Sequence, residues 1–303
     1  MLRQYSIIGT MSSQRIAPSE LVLNPNGSVY HIGLKPEHVM DTVIVVGDPA
    51  RVRLITDMMD HVRFENHNRE FFTRVASYKG RDFTVMSTGI GTDNIDIAIN
   101  ELDAAVNIDL EKRIQKDDTR RLDIIRMGTS GALQEDIPVD TVVASEFGLG
   151  FDGVMHYYDS ETTKEERSIR DAFIYDSAYP MELAKPYIIK GDLDLRLRVA
   201  PDKTRGITAT ATGFYGPQGR SLRLSLKHPQ LNDVMSAFEH QGHRITNYEM
   251  ETSALFGIGR SLGHRCATIC AIIANRLRKE YSKDYKKTVR SMVGEALERL
   301  TSD

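Results

Sequence analysis

The chain has 303 residues, 41% hydrophobic and 27% charged, with a formal net charge of -3. That composition is ordinary for a globular protein of one large or two small domains, and the charge balance gives no electrostatic basis for a nucleic-acid or membrane partner. No apolar run reaches the length of a membrane span, and the opening MLRQYSIIGTMSSQRIAPSE lacks the apolar core and cleavage site of a secretory signal, so the expected location is the cytoplasm.

Residues 1–29 read as a polar leader, able to lie across a neighbouring subunit, and residues 30–303 as one domain. DTVIVVGDPARVRLITDMM predicts a β-branched strand running into Gly47, then a helix with Pro49 in its first turn. FFTRVASYKGRDFTVMSTG predicts two strands about a Lys79-Gly80 turn, the second ending on Gly89. Ile95, Ile99, Leu102 and Val106 have the spacing of an amphipathic helix. The polar run DLEKRIQKDDTRR after it, around residues 111–121, predicts an exposed insertion. LDIIRMG predicts a buried strand that stops on Gly128, and TVVASEF another. Residues 155–203 read as a charged, irregular excursion. GITATATGFY returns to strand, ETSALFGIGRSLG is helical, RCATICAIIAN is an apolar strand and KKTVRSMVGEALERL a terminal helix. Cys266 and Cys270 lie in that apolar strand and read as buried thiols of a reducing compartment. Strands alternating with helices predict an α/β fold: a single domain with a central mixed β-sheet flanked by helices on both faces.

Several predicted strands end on glycine followed by a polar residue, and ligands of open α/β sheets bind beyond strand ends. In GDPAR, Gly47 permits close backbone approach, the helix start offers N–H groups to an anion, and Arg51 adds a fork of donors; a capped helix with Asp48 as the cap explains the same residues. In RMGTSG, Arg126 lies in a buried strand and needs an anionic partner. Gly128 and Gly131 free the backbone, and the hydroxyls of Thr129 and Ser130 can donate to phosphate oxygens. GIGTDN is not a dinucleotide fingerprint, because Asn94 replaces the third glycine. In NYEMETSALF, Glu249 and Glu251 flank Met250 at a helix start; dipole complementarity, acid–base work and binding of a vicinal diol all fit. TGFYGPQGR places an amide and a guanidinium one residue apart beside two aromatic rings, which suits a flat ligand with carbonyls along its edge.

Five segments in this order, YHIGL, GDPAR, HNREFF, RMGTSG and NYEMETSALF, resemble the nucleoside phosphorylase superfamily of purine and uridine phosphorylases, over nearly everything from Tyr30 onward. FYGPQGR resembles the uracil reader of the uridine phosphorylases, and Asn275 and Arg276 stand where purine enzymes place an Asp. The resemblance implies a phosphate site from Gly47, Arg51, Arg126, Gly128 and Thr129, with Arg69 reaching it from a neighbouring subunit. It implies ribose contacts from Glu251, Met250, Glu249 and, across the same interface, His31. Uracil would be read by Phe214, Gln218 and Arg220, with Arg276 bracing the pair. Some relatives hold a monovalent cation with a Glu and a Ser; Glu70 is present here but Asn94 fills the Ser position, so no metal is assigned.

The implied reaction is reversible phosphorolysis of uridine to uracil and ribose 1-phosphate, with inorganic phosphate as co-substrate and no cofactor. Arg51, Arg126 and Thr129 would fix phosphate against the oxocarbenium-like ribose, and Arg220 would stabilise the departing uracil anion. A homo-oligomer is expected, a dimer before a hexamer, because the long insertions would hinder ring closure. The rivals are a purine phosphorylase or nucleosidase on the same fold, against which the Gln218–Arg220 pair and the two arginines respectively argue, and a non-catalytic nucleoside-binding protein.

Overall fold

The computed structural model describes residues 14–302. The chain runs through β1 (Thr42–Val46), α1 (Pro49–Thr56), β2 (His61–Asn68), β3 (Phe71–Tyr78), β4 (Arg81–Ser87), α2 (Thr92–Asn107), the short pair β5 (Ile108–Asp109) and β6 (Ile114–Gln115), then β7 (Asp123–Ala132) and β8 (Val142–Gly150). It continues through α3 (Lys164–Asp176), β9 (Tyr187–Lys190), α4 (Leu193–Val199), β10 (Thr204–Thr210), α5 (Leu231–Ala237), β11 (Glu239–His240), β12 (His243–Glu249), α6 (Thr252–Ser261), β13 (Arg265–Asn275), β14 (Glu280–Tyr281) and α7 (Tyr285–Thr301). Among the described residues, no helix is long and apolar enough to cross a membrane.

The main sheet runs β11-β12-β10-β8-β13-β7-β1-β4-β3-β2. It is mixed: β1 is parallel to β4 and β7, and β7 to β13, whereas β13 is antiparallel to β8. Alternation along β1 shows why the expected two-sided cover forms. Val43 and Val45 pack with Ile95, Ile99 and Leu102 of α2 and Leu255 of α6, while Ile44 and Val46 pack with α1, α4 and α7 on the other face. A third core, with Phe147, Phe173, Ile207 and Tyr248, lies against α3 and α5.

One feature has no local signature. β12 also pairs with β7, antiparallel, through Asn247↔Ala132 and Tyr248↔Gly131. This closes β7, β13, β8, β10 and β12 into a ring. Inside the ring a chain of polar side chains is bonded together: Ser145 Oγ lies 2.6 Å from Thr208 Oγ1, Thr208 donates to Asn247 at 2.9 Å, and Asn247 donates to Ser130 at 2.9 Å.

Three expectations need correction. Gly128 does not end a strand, for β7 continues through GTSG to Ala132. Residues 155–203 are not irregular: a capping box between Thr163 and Glu166 starts α3, whose Ile169 and Phe173 are buried, and β9 and α4 follow. Residues 14–29 do not form a detached leader either. Leu21 and Val29 are buried in the same core as β1 and α2, and Leu23 bridges Val29. Residues 1–13 lie outside the described residues. The insertion after α2 is the small β5–β6 pair, and Cys266 and Cys270 are free and buried.

Candidate active site

β12 ends on Glu249, and α6 begins after Glu251, its N-cap. The two carboxylates therefore belong to a strand end and a helix cap, not to one helical turn as expected. Both grip Arg126 of β7. Arg126 Nε donates to Glu249 Oε2 at 3.0 Å, and Nη2 donates to Glu251 Oε2. All three side chains are buried, at 5% exposure or less. Arg126 Nη1, equally buried, has no partner among the described residues. Gly128 makes room for this guanidinium: a Cβ there would stand 2.9 Å from Cys270 Sγ and 3.3 Å from Arg126 Cζ.

Glu249 differs from its expected role as a ribose contact. Its oxygens accept from Thr210 Oγ1 at 2.8 Å, from the N–H of Thr252 at 3.0 Å and of Glu251 at 3.0 Å, and from Arg126. A carboxylate so occupied has no lone pair left for a sugar hydroxyl. Glu249 instead holds the start of α6 and aims Arg126. Glu251 Oε1 accepts from the N–H of Gly91 at 2.8 Å, and Gly91 takes φ +102°, a conformation suited to glycine. The half-buried Met250 sits between the two acids.

Electrostatics follow from one guanidinium shared by two carboxylates. Burial disfavours the Arg126 charge, yet Glu251 and Glu249 outweigh it and hold the group above the ordinary arginine value. Burial pushes Glu251 up, Arg126 pulls it back, and the Glu249 charge adds to the rise, bringing it to about 7. Arg51, one turn into α1, donates to the carbonyl of Met127 at 3.3 Å. Burial, then the positive charge of Arg126, holds Arg51 below the usual arginine value. A buried arginine with an orphan N–H beside a half-buried one that it repels is an arrangement able to take an anion. Gly47 lies at this edge, its position facing the carbonyl of Gly89. Thr129, on β7 opposite Ala271, has a hydroxyl without a partner among the described residues. Ser130, in contrast, is engaged by Asn247 inside the ring. Asp48 does cap α1, accepting from the N–H of Ala50 at 2.9 Å, so the capping reading of GDPAR holds.

The segment after β10 reaches the same strand ends, since Ala211 N–H bonds the Glu249 carbonyl at 2.9 Å. Gly216–Gln218 form a 3-10 turn and Gly219 takes φ +67°. Arg220 Nη1 donates to the Gln218 amide oxygen at 2.6 Å and to the Phe214 carbonyl at 2.6 Å, and its guanidinium stacks 3.9 Å over the Phe214 ring. Arg276, just past β13, donates to the main-chain carbonyl of Gln218 and, at 2.8 Å, to that of Gly219. The expected brace is thus made through the backbone of the loop. Phe214 is half exposed, at 51%.

His31 and Arg69 meet away from this cluster. His31 Nδ1 donates to Glu101 at 2.6 Å, leaving Nε2 outward. Arg69 occupies the two-residue β2–β3 turn at φ +55° with its guanidinium 5.7 Å from the Tyr30 ring. Asn68 Nδ2 ties the turn to the His31 carbonyl at 2.7 Å. Glu101, Thr210 and Gly91 escaped sequence reasoning. Of these only Gly91 carried a signal, as a second glycine in the strand-end turn GIG.

The profile of the phosphorylase superfamily matches residues 41–302. The uridine phosphorylase of Thermococcus kodakarensis is 29% identical over 294 residues, 95% of this chain and 92% of that one. The uridine phosphorylase of Escherichia coli is 30% identical over 258 residues, 83% of this chain and 88% of that one. Among solved structures, a Trypanosoma brucei nucleoside phosphorylase described as showing uridine phosphorylase activity superposes with a TM-score of 0.85 at 27% identity, covering 93% of this chain and all of its own. With a profile match across most of its length and an α/β fold shared with such an enzyme, this chain belongs to the phosphorylase superfamily.

Proposed function

We propose that the protein is a uridine phosphorylase, converting uridine and inorganic phosphate reversibly to uracil and ribose 1-phosphate. The observation that carries this reading is the loop Phe214–Arg220: Gln218 and Arg220 are bonded 2.6 Å apart and the loop is clamped by Arg276 at the strand ends that hold Arg126. Uracil offers carbonyl, N–H and carbonyl along one edge, which an amide and a guanidinium can satisfy together. The similarity of the chain to uridine phosphorylases over most of its length supports the same assignment.

Phosphate is held by Arg51, the free Nη1 of Arg126, Thr129 and the backbone at Gly47 and Gly128. Ribose lies over Met250 with its 2′- and 3′-hydroxyls on Glu251. As the glycosidic bond stretches, the ribose gains cationic character and uracil gains negative charge. Phosphate stabilises the former and attacks the anomeric carbon, while Arg220 and Gln218 stabilise the latter. The bond electrons leave on uracil, and no covalent enzyme intermediate or cofactor is required. Arg69 and His31 share one surface and complete the site of a second copy, which makes a homo-oligomer, a dimer at least, the active form. The expected compartment is the cytoplasm.

The test is uracil release from uridine by the purified protein, with and without phosphate, beside inosine. Strictly phosphate-dependent release of uracil, with inosine untouched, is the expected result. Release without phosphate means a nucleosidase, and activity on inosine alone means that the loop does not read uracil.

A further inference from the structure

Apart from the arginine–carboxylate cluster, the chain forms a half-open hollow of about 840 Å³, large enough for a small organic ligand. Strand alternation fixes which side of the ring it occupies. Along β12, Asn247 and Glu249 point inward to Ser130 and Arg126. Tyr248 between them points outward into the core that contains Phe151, Phe173 and Tyr179. Along β10, Thr208 and Thr210 face inward, while Ala209 belongs to the outer core. The cavity is lined by Phe151, Tyr179, Leu231 and Tyr248, so it lies on the outer side. None of Arg51, Arg126, Thr129, Met250 and Glu251 borders it; Gly219 and Arg220 do. The wall of β12 separates it from the candidate active site, and the base-reading loop is the part common to both.

Its chemistry is distinctive. Phe151, Tyr179 and Tyr248 supply rings, and Leu183, Leu224 and Leu226 add branched side chains. Two walls, the segments around 179–184 and 212–232, are joined where Lys227 Nζ meets Glu182 at 2.8 Å, with His228 Nε2 lying 3.3 Å from the same carboxylate. The bordering acids are therefore engaged, since Asp152 accepts from Tyr187 at 2.8 Å and from Ser253 at 3.1 Å. The cations are not all matched. Arg223 has no hydrogen bond or ion pair among the described residues, and Arg220 bonds only neutral oxygens. An apolar hollow bordered by unmatched guanidinium groups is complementary to an anion with an apolar body.

We propose that this cavity is a second ligand site, for a small amphipathic anion with an aromatic or branched body and one carboxylate or sulfonate head. The body packs among Phe151, Tyr179 and Tyr248, and the head pairs with Arg223 and the outer N–H groups of Arg220. Drawing Arg220 toward the cavity pulls it off Gln218, so occupation weakens binding of the base, and the base weakens binding of the anion reciprocally. This coupling rests on the proposed reading of the loop; the site itself does not.

The test uses 8-anilinonaphthalene-1-sulfonate as probe on the full chain, by fluorescence titration and competition. The expected result is saturable binding of one probe per chain, weakened at least tenfold by Arg223→Glu and by the cavity-filling Leu231→Trp, with uridine turnover in Arg223→Glu unchanged. Phosphate does not displace the probe, and the probe raises the uridine KM without moving the phosphate KM. Binding that is unsaturable, insensitive to both variants or displaced by phosphate overturns the site. Variant-sensitive binding with an unmoved uridine KM overturns the coupling. A protein that binds the probe as expected yet lacks phosphorolysis refutes the uridine reading and leaves the site standing.

Discussion

Glu251→Gln isolates the charge balance at the centre of the cluster. Glu251 is 3% exposed and shares Arg126 with Glu249, and its carboxyl is raised from 4.5 to about 7. A folded-state value above the unfolded one means that the fold favours the protonated acid. The stabilisation is therefore fully present below pH 4.5 and is lost as pH rises through about 7. At about 1.4 kcal/mol per pH unit, that interval corresponds to roughly 3 kcal/mol. Glutamine keeps the shape and an acceptor for Gly91 N–H but cannot ionise. Denaturant unfolding of both proteins at pH 5, 6, 7 and 8, at one ionic strength, should show the wild type losing roughly 3 kcal/mol relative to the variant. Every other titrating group is common to the two, so the difference belongs to this site. On the proposed reading the same carboxylate, as the anion, accepts the ribose diol, so wild-type kcat/KM for uridine should climb over the same pH range and the variant should lack that limb. Parallel stability profiles would refute the idea that two carboxylates crowd one arginine here.

Arg126→Met leaves Glu249 and Glu251 buried without their cation; a cost of about 3–5 kcal/mol is expected, shrinking at pH 5 as Glu251 protonates, with phosphorolysis lost, as unfolding and product assays will show. Arg220→Ala should lower kcat for uridine about a hundredfold, roughly 3 kcal/mol of barrier, with under about 1 kcal/mol of stability lost because its bonds lie on a partly exposed loop; equal losses in both assays would sink the base-reader assignment. Glu166→Ala removes a fully buried carboxylate that accepts from Lys190 N–H at 2.7 Å and Arg260 at 2.6 Å. It should cost about 3 kcal/mol while leaving KM for uridine and phosphate unchanged in folded protein, since it ties α3 to β9 and α6 away from the cluster.

Local pattern carried the two-faced sheet, because alternation in Val43–Val46 and the helical spacing of Ile95 to Val106 each specify where an element buries itself. It did not carry ring closure. Pairing Asn247 with Ala132 joins segments more than a hundred residues apart, and neither residue's neighbourhood announces it. The errors have physical sources. Gly128 resembled a strand end because glycine usually interrupts strands, whereas here its missing Cβ lets β7 continue beneath Cys270 and Arg126. The start of α3 was legible in Thr163 and Glu166, a capping box at its usual spacing, but the charge around it masked the signal.

Arg126 shows how far residue chemistry reaches without tertiary structure. A guanidinium in an apolar strand requires negative charge, and the sequence offered two kinds: a phosphate ligand and the acids of NYEMETSALF. The structure uses the acids and leaves one N–H over. Nε and Nη2 are spent on Glu249 and Glu251, and Nη1 remains. The same acids that keep the charge in the interior also fix its orientation, so the phosphate of the proposed reaction would meet one aimed N–H beside Arg51 rather than a mobile side chain. Glu249 secures this by also anchoring the first residues of α6, which carries Glu251 into the cleft. Positioning of Arg126 and of Glu251 thus depends on one buried carboxylate, Glu249, whose oxygens are all taken within the protein.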